Sequence, residues 1–273
     1  MMAVSKIVFM DCENYRPKIR RLVESMYVSA RRLGYDVDRV SAYKPFDGLL
    51  VCYGCGRPDL TIVMEKHIAS GNPVLTLDAP YWRLGYWQSA YRLAVNSPHP
   101  KMLFDMPANR FDSLNFKLTD EYDPAGPILL IGVGPKSRHV AGSYECDTLL
   151  KIRQVYPGRR IIYRPKPNRE FVRLHGVKVD AVTPISELLA GASLVVTRHS
   201  NVGIDAAFKG IPVVTETGAA IHLYSDDLAN PHNPDVEERR TFLRRLAWWN
   251  WAEGEMTTRT FWDWWIYVAE ATI

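Results

Sequence analysis

Short apolar runs that end at polar or glycine-containing turns alternate with helical segments along most of this chain. The first run, KIVFM, is followed by a polar turn and then by apolar residues at helical spacing from Lys18 to Leu33. The same order recurs where DGLLVCYG precedes a segment that starts with Pro and ends with Gly, which in turn precedes NPVLTLD. This alternation predicts an α/β fold with parallel sheets and helices on both faces.

A stretch of weaker periodicity divides the 273 residues into two parts. The segment DMPANRFDSLNFKLTDEYDPAGP is rich in Pro, Asp and Asn, and we place the connection between domains near residues 112–127. Apolar strand candidates resume at PILLIGVG, RRIIYRP and SLVVTRHS. We therefore predict one domain over residues 1–120 and a second α/β domain over residues 121–235. The tail, residues 236–273, holds six of the eight Trp residues and predicts helices that return to pack on the first domain.

The composition narrows the class of protein. With 47% hydrophobic and 23% charged residues, the chain has the balance of an ordinary folded protein. No apolar stretch approaches the roughly 20 residues of a membrane-spanning helix, and the N-terminus reaches a charged turn too early for a signal peptide. We expect a monomeric cytoplasmic protein with reduced cysteines. The net charge of +4 permits an anionic partner without requiring one.

The turns that follow the apolar runs are the candidate ligand sites, because open α/β sheets bind ligands at the carboxyl ends of their strands. GVGPKS offers glycine amides, a lysine and a serine to an anion, although a plain Gly-Pro turn is an equal alternative. YRPKPNR places two cations at a strand end. SLVVTRHSNVGIDAAFKGIPVV leads from a polar elbow into a helix whose first amides and acidic residue suit a phosphate and a ribose. The candidate residues in these segments are Gly132, Gly134, Lys136, Ser137, Arg164, Lys166, Arg198, His199, Ser200, Asn201 and Asp205.

The first domain offers carboxylates and an aromatic, arginine-rich run. Asp78 follows the strand candidate NPVLTLD, where it is placed either to accept a proton or simply to cap a turn. Asp11 and Glu13, after the first strand, are rival carboxylates. The run after Asp78 interleaves aromatic residues with arginines, which suits stacking on a sugar or base beside a phosphate but also suits packing in a core. The residues expected to contact a second substrate are Glu13, Tyr81, Trp82, Arg83 and Arg92.

Two segments carry a resemblance to known enzymes. The region from about residue 128 to 220, with IIYRPKP and SLVVTRHSNVGIDAAFKGIPVV, resembles the donor-binding half of GT-B glycosyltransferases, including bacterial capsule transferases. That family often has His in the basic-Pro motif and Glu in the helix, where this chain has Lys166 and Asp205. Residues 47–82 are similar in order to phage DNA β-glucosyltransferases, which glucosylate hydroxymethylcytosine in duplex DNA, and the proposed base of those enzymes falls on Asp78.

The resemblance implies two Rossmann-like domains whose parallel sheets face a cleft. It implies transfer of a sugar from a nucleotide sugar, expected to be a UDP-sugar, to a hydroxyl acceptor, with Asp78 as general base. The expected acceptor is a hydroxymethyl-pyrimidine in bacteriophage DNA, in which case duplex DNA is a partner and the host cytoplasm is the location. A cell-surface glycan acceptor, a non-catalytic nucleotide- or DNA-binding module, and another nucleotide-sugar enzyme such as an epimerase stay open. No tightly bound cofactor and no protein-held metal are expected, and any divalent cation would arrive with the diphosphate.

Overall fold

A computed structural model describes residues 4–12, 14–54, 57–82, 89–134, 143–167 and 170–272. The chain divides into two compact units. Unit 1 comprises residues 1–101 and 247–273, and unit 2 comprises residues 102–246. Each unit is built around one β-sheet with helices packed against it. The predicted α/β fold with parallel sheets is confirmed.

Unit 1 has a six-stranded sheet in the order β11-β5-β4-β3-β1-β2. Four neighbouring strands of this sheet, β4, β3, β1 and β2, run parallel to one another. Strand β5 is antiparallel to β4, and β11 is antiparallel to β5. The strands are β1 (Ile7–Met10), β2 (Val37–Val40), β3 (Leu49–Tyr53), β4 (Val74–Asp78), β5 (Ala90–Val95) and β11 (Asn250–Ala252); the helices are α1 (Pro17–Arg32), α2 (Pro58–Ala69) and α8 (Arg259–Glu270).

The local sequence explains the elements of unit 1. Every residue of IVFM in β1 is buried, as expected for a parallel strand covered on both faces. Helix α1 has Pro17 in its first turn and buries Ile19, Leu22, Met26 and other apolar residues at helical spacing. The aromatic tail forms much of the core, since Trp251, Trp262 and Trp265 are among the largest fully buried side chains.

Unit 2 has a five-stranded, fully parallel sheet in the order β10-β9-β6-β7-β8. The strands are β6 (Ile128–Ile131), β7 (Ile161–Arg164), β8 (Lys178–Val179), β9 (Leu194–Thr197) and β10 (Val213–Thr215); the helices are α3 (Asn109–Asp112), α4 (Tyr144–Val155), α5 (Ile185–Leu189), α6 (Val202–Lys209) and α7 (Val236–Leu246). The core of this unit lies between the sheet and α4, where Leu130, Ile152 and Tyr163 pack together.

The division between the units falls after residue 101, before the predicted boundary after residue 120. The intervening segment packs on α6, where the rings of Phe111, Phe116 and Phe208 form a cluster and the Thr119 amide donates to the Phe208 carbonyl at 2.9 Å. Helix α7 also belongs to unit 2, and only the residues from Ala247 onward are part of unit 1. The predicted tail of residues 236–273 is therefore divided between the two units.

A buried arginine fixes this arrangement within unit 2. Arg239 of α7 is 1% exposed and donates to the carbonyls of Thr119 and Ala207 at 2.9 and 3.2 Å, and it pairs with the Asp120 carboxylate. Gly210 ends α6 beside this network with a φ of +70°. A Cβ at Gly210 would lie 2.6 Å from Asp120 Oδ1 and 3.1 Å from Arg239 Nη1. Glycine is favoured here, because it adopts the left-handed conformation without strain and leaves the Asp120 carboxylate and Arg239 in place.

We expect Gly210→Ala to destabilise the protein more than Gly158→Ala. Both glycines have a similar positive φ, +70° and +76°, but a Cβ at Gly158 meets nothing within 4 Å. The strain of the left-handed conformation, about 1–2 kcal/mol, is therefore common to both variants. The crowding of Asp120 and Arg239 adds about 1–3 kcal/mol at Gly210 alone. Urea unfolding measures the free energy of unfolding of each variant. Equal losses in the two variants would show that the Arg239 network rearranges without loss of stability.

Candidate active site

The loop after β6 passes close to the end of β7. The Gly132 amide donates to the Arg164 carbonyl at 2.9 Å. A Cβ at Gly132 would lie 2.8 Å from the Tyr163 hydroxyl oxygen and 3.3 Å from Pro165 Cα. Gly132 is therefore required for this close approach. The contact brings the first two predicted donor-side segments, after β6 and after β7, side by side.

Gly134 and Lys166 form a small cationic cradle at this edge of the sheet. The Lys166 side chain runs along the open face of Gly134, since a Cβ on Gly134 would lie 3.2 Å from Lys166 Cδ and 3.6 Å from Nζ. Within the described part of the chain, the Gly134 amide has no hydrogen-bond acceptor and the Lys166 ammonium has no ion-pair partner. An unpaired backbone N–H next to an exposed cation is suited to hold a phosphate.

Arg164, the other cation of this segment, is committed to the fold. It is 9% exposed, and its Nη1 donates to the Asp180 carbonyl at 2.9 Å and lies 3.9 Å from the Asp180 carboxylate. Asp180 in turn accepts from the Thr183 amide at 2.9 Å, which lowers the pKa of its carboxyl group. The sequence predicts Arg164 as a diphosphate ligand, but the structure uses it to join β7 to the turn after β8.

In the elbow after β9, Ser200 accepts hydrogen bonds from the first amides of the helix that follows, α6. The Ser200 hydroxyl accepts from the Val202 amide at 3.3 Å, and the Ser200 carbonyl accepts from the Gly203 amide at 3.1 Å. The first two amides of α6 therefore already donate to Ser200, and an anion at the predicted site would have to replace these hydrogen bonds. Asn201 holds the next turn, because its carbonyl accepts from the amides of Ile204 and Asp205 at 2.8 and 3.1 Å.

The rest of the elbow is closely packed against the turn after β10. Gly218, with a φ of +90°, lies against the His199 backbone, and a Cβ there would approach His199 Cα to 3.0 Å. Arg198 points its guanidinium to Glu216, with 3.3 Å between Nε and Oε2. The Arg198 side chain keeps 21% of its surface exposed. Of the elbow residues that were predicted to bind the donor, Arg198 is the cation that remains at the surface.

Asp205 is a half-buried carboxylate in α6 with no partner of its own. Burial raises the pKa of Asp205 to about 6, an effect that the charge of Lys209, one turn along, opposes. No described residue donates a hydrogen bond to this carboxylate or pairs with it. A desolvated carboxylate with unused acceptor oxygens is a site for a ligand hydroxyl pair, and a ribose diol fits that chemistry.

In unit 1, Asp78 lies at the carboxyl end of β4 and forms an ion pair with Arg92. Its register partner on β5 is Arg92, whose Nη2 donates to Asp78 Oδ2 at 3.1 Å, while Oδ1 accepts from the Ala79 amide at 2.7 Å. The Arg92 guanidinium also lies over the Tyr81 ring, 5.8 Å from its centre. The Asp78 side chain is 32% exposed. Asp78 is therefore an oriented carboxylate that a substrate can still reach.

The aromatic residues after Asp78 mostly belong to the core. Tyr81 and Trp82 are 3% and 6% exposed. The Tyr81 amide donates to Asn250 Oδ1 at 3.0 Å, and its hydroxyl lies 3.3 Å from His99 Nδ1. Both side chains are covered by unit 1 itself, which leaves little of either ring exposed for the predicted stacking on a substrate. The predicted site residues that lie outside the described residues are Glu13, Arg83, Lys136 and Ser137.

A row of three tyrosines, which the sequence did not predict, lies at the same edge of the unit 1 sheet. The rings of Tyr15, Tyr53 and Tyr91 follow one another edge to face, with 6.0 Å between successive centres. Arg57 lies over the Tyr15 ring at 5.5 Å, and Lys18 lies over the Tyr91 ring at 5.9 Å. Tyr53 lies at the end of a predicted strand, but no strand was predicted around Tyr91, so no local signal in the sequence joins the three.

The tyrosine row and Asp78 occupy opposite faces of the sheet. Successive residues of a strand point to opposite faces, and register partners share a face. Asp78 is paired with Arg92, so Tyr91 points to the other face. Tyr53 is paired with Leu77 and points there too. The two groups therefore meet only at the strand ends.

Two kinds of feature, a metal-binding group and a membrane-spanning helix, are absent from the described ranges. No group of three or more His, Cys, Asp or Glu side chains in those ranges is arranged to hold a metal ion. None of the helices within them is both long and apolar enough to span a membrane. Among the described cysteines, Cys12 and Cys146 carry free thiols.

Comparison with known proteins bears on the fold. No family model and no curated protein matches the sequence. Among solved structures, the chain is similar to the β-Kdo 2,4 transferase of KpsC from Thermosulfurimonas dismutans, with 15% identity and a TM-score of 0.52 over 88% of this chain and 90% of that one. It is also similar to the β-Kdo 2,7 transferase of the same KpsC, with 13% identity and a TM-score of 0.54 over 87% and 89%. The chain has the GT-B-like fold of these glycosyltransferases.

Proposed function

We propose that this protein is a glycosyltransferase that moves a sugar from a nucleotide sugar to a hydroxyl group, with donor binding in unit 2 and the general base in unit 1. The observation that carries the proposal is a set of three groups at the carboxyl edge of the unit 2 sheet: the Gly134 amide, the Lys166 ammonium and the Asp205 carboxylate. None of the three has a partner among the described residues. Together they supply an anion-binding donor, a cation and an acceptor for hydroxyl groups.

These groups match the parts of a nucleoside diphosphate sugar, and we expect the nucleotide to be UDP. The Gly134 amide and Lys166 would hold the diphosphate, which leaves with negative charge as the sugar is transferred. Asp205 would accept hydrogen bonds from the ribose hydroxyls. A divalent cation, if one is used, would be bound mainly by the diphosphate oxygens.

Asp78 completes the chemistry as general base. Arg92 and the Ala79 amide donate to its two oxygens and hold the carboxylate in place. In the proposed step, the acceptor oxygen forms a bond to the anomeric carbon, the bond from that carbon to the phosphate oxygen breaks, and the acceptor proton passes to Asp78. The diphosphate takes the electron pair. A single displacement of this kind inverts the anomeric configuration.

For the acceptor, we propose a hydroxymethyl-pyrimidine in bacteriophage DNA. The support is Tyr53, the half-buried member of the tyrosine row, together with Lys18 and Arg57, which lie over the neighbouring rings of Tyr91 and Tyr15, because a reachable aromatic ring near cations suits a nucleobase and its phosphate. A net charge of +4 is compatible with DNA. The second candidate is a cell-surface glycan, which is favoured by the names of the two Kdo transferases that share the fold.

Mass spectrometry of digested nucleosides tests the proposal. The protein is incubated with a panel of nucleotide sugars and duplex DNA containing hydroxymethylcytosine or hydroxymethyluracil, with unmodified DNA as the control. We expect a mass gain of one hexose or pentose on the hydroxymethyl base alone, which also identifies the donor. Donor binding without any base modification would favour the glycan acceptor, and the absence of turnover with every donor and acceptor would favour a non-catalytic module.

A further inference from the structure

Two adjacent residues at the start of α4 carry buried polar atoms without partners. Tyr144 is 6% exposed and Glu145 is 1% exposed. Neither the Tyr144 hydroxyl nor Glu145 Oε2 has a hydrogen-bond partner in the part of the chain that the structure describes. Such atoms are rare in native proteins, because removing a polar group from water without replacing its hydrogen bonds is unfavourable. Each of the two therefore requires an explanation.

Both residues lie in the middle of the candidate donor site. Strand β6 is flanked by β9 on one side and by β7 on the other. The start of α4 adjoins the loop after β6, because Glu145 Oε1 accepts from the Val133 amide at 3.2 Å. The strand order thus places Tyr144 and Glu145 between Lys166, which follows β7, and Arg198, which follows β9.

The burial of the Glu145 carboxylate is partly explained by its hydrogen bonds within unit 2. Its Oε1 accepts from the Tyr163 hydroxyl at 3.4 Å as well as from the Val133 amide. It therefore holds the loop after β6 against β7, which leaves the Gly134 amide at the surface. A carboxylate in the first turn of a helix is also stabilised by the helix dipole.

The Tyr144 hydroxyl has no such role in the fold. Its ring packs in the core with Val133, Tyr163 and Val196, and the hydroxyl lies within the electrostatic influence of Arg198 and Glu216. Burial and the charge of Glu216 raise the pKa of Tyr144, so the hydroxyl is protonated at neutral pH and available as a donor. Thr148, one turn along α4, exerts an influence but makes no hydrogen bond of normal geometry to it.

We propose that the Tyr144 hydroxyl donates a hydrogen bond to a phosphate oxygen of the bound nucleotide sugar. This inference rests on the proposed function and adds a ligand contact from the core of unit 2. The Arg198–Glu216 pair is the exposed part of the surroundings of Tyr144, with side chains 21% and 49% exposed. A phosphate competes with Glu216 for Arg198, and an oxygen of that phosphate reaches Tyr144 as the pair opens.

The test compares Tyr144→Phe with Tyr156→Phe. Tyr156 follows the other end of α4, and its hydroxyl has a partner in the fold, the Leu228 carbonyl at 2.8 Å. Binding is measured by titration calorimetry with UDP, GDP, CDP and pyrophosphate, and stability is measured by thermal unfolding. Loss of one hydrogen bond to a charged group predicts that Tyr144→Phe weakens binding by about tenfold or more. Its melting temperature should equal or exceed that of the parent, because the hydroxyl stabilises nothing in the free protein.

The control variant should show the reverse pattern, with unchanged affinity and a lower melting temperature. Binding by Tyr144→Phe within twofold of the parent would overturn the Tyr144 contact and leave the proposed function intact. A melting temperature lowered as much as in Tyr156→Phe would instead assign Tyr144 a structural role and overturn the inference. If the parent protein binds none of the four probes, both the contact and the proposed function fail.

Discussion

Replacing Asp78 by Asn should lower turnover by roughly 10²–10⁴-fold and leave nucleotide binding unchanged, because this is the usual contribution of a positioned general base. Asn has the shape of Asp, and its single amide oxygen can still accept from the Ala79 amide, so the end of β4 should keep its structure although the hydrogen bond from Arg92 is lost. What it loses is the ability to take a proton from the acceptor. Turnover is measured with saturating donor, and donor affinity is measured separately by calorimetry.

Asp11→Asn is the matched control for this prediction. Asp11 also follows a strand of the unit 1 sheet, and it also pairs with an arginine, since Arg39 Nη2 lies 2.6 Å from its Oδ2. We expect turnover within a few-fold of the parent for this variant. If Asp11→Asn loses turnover and Asp78→Asn retains it, the base is Asp11. If both retain full activity, neither carboxylate is the base.

Replacing Asp205 by Asn should weaken donor binding and at the same time stabilise the protein at neutral pH. The pKa of Asp205 is raised to about 6 from an ordinary value of 3.8. Between these two values the folded protein keeps a proton that the unfolded chain has lost. The free energy of unfolding therefore falls as the pH rises through this window and is level above about pH 6. A shift of this size corresponds to at most about 3 kcal/mol, of which Asp205→Asn should recover on the order of 1–2 kcal/mol.

Urea unfolding between pH 4 and pH 8 measures this effect, with Asp227→Asn as the control of opposite sign. The Asp227 carboxylate accepts from the side chain and amide of Asn230, which lower its pKa, so its replacement should reduce stability at neutral pH. Donor binding by Asp205→Asn should fall by about tenfold, the effect of losing a charged acceptor. A variant that is more stable and binds the donor as tightly as the parent would show that Asp205 has no part in the site.

The fold class was accessible from the sequence because apolar runs and helical spacing are local signals. The turns after strands lie at the carboxyl edge of each sheet, and Gly134, Lys166 and Asp205 follow strands of the unit 2 sheet. The direction of a side chain at a strand end is a different matter, since it depends on register and on which partners the topology supplies. Arg164 looks like a ligand in YRPKPNR, but its guanidinium meets Asp180, a residue whose position the local sequence cannot reveal.

In unit 1, too, the surroundings of a side chain depend on partners that are distant in sequence. Tyr81 and Trp82 follow Asp78 directly, but the chain buries both rings. Tyr15, Tyr53 and Tyr91 are far apart in sequence, and only the order of β1, β3, β4 and β5 in the sheet brings their rings together. Ser200 was recognised as part of a helix start, but the sequence did not show that it would satisfy the helix amides itself.

The strand β11 has a consequence for how the protein is made. In chain order it comes after all of unit 2, yet it pairs with β5, and the tryptophans that follow it fill the core of the first unit. During synthesis, the edge of β5 that pairs with β11 stays unpaired until all of unit 2 has been translated. An uncovered edge and an unfilled core are hazards for aggregation. Chains cut off before Ala247 should therefore be insoluble or depend on chaperones, even though they retain every residue assigned here to donor binding.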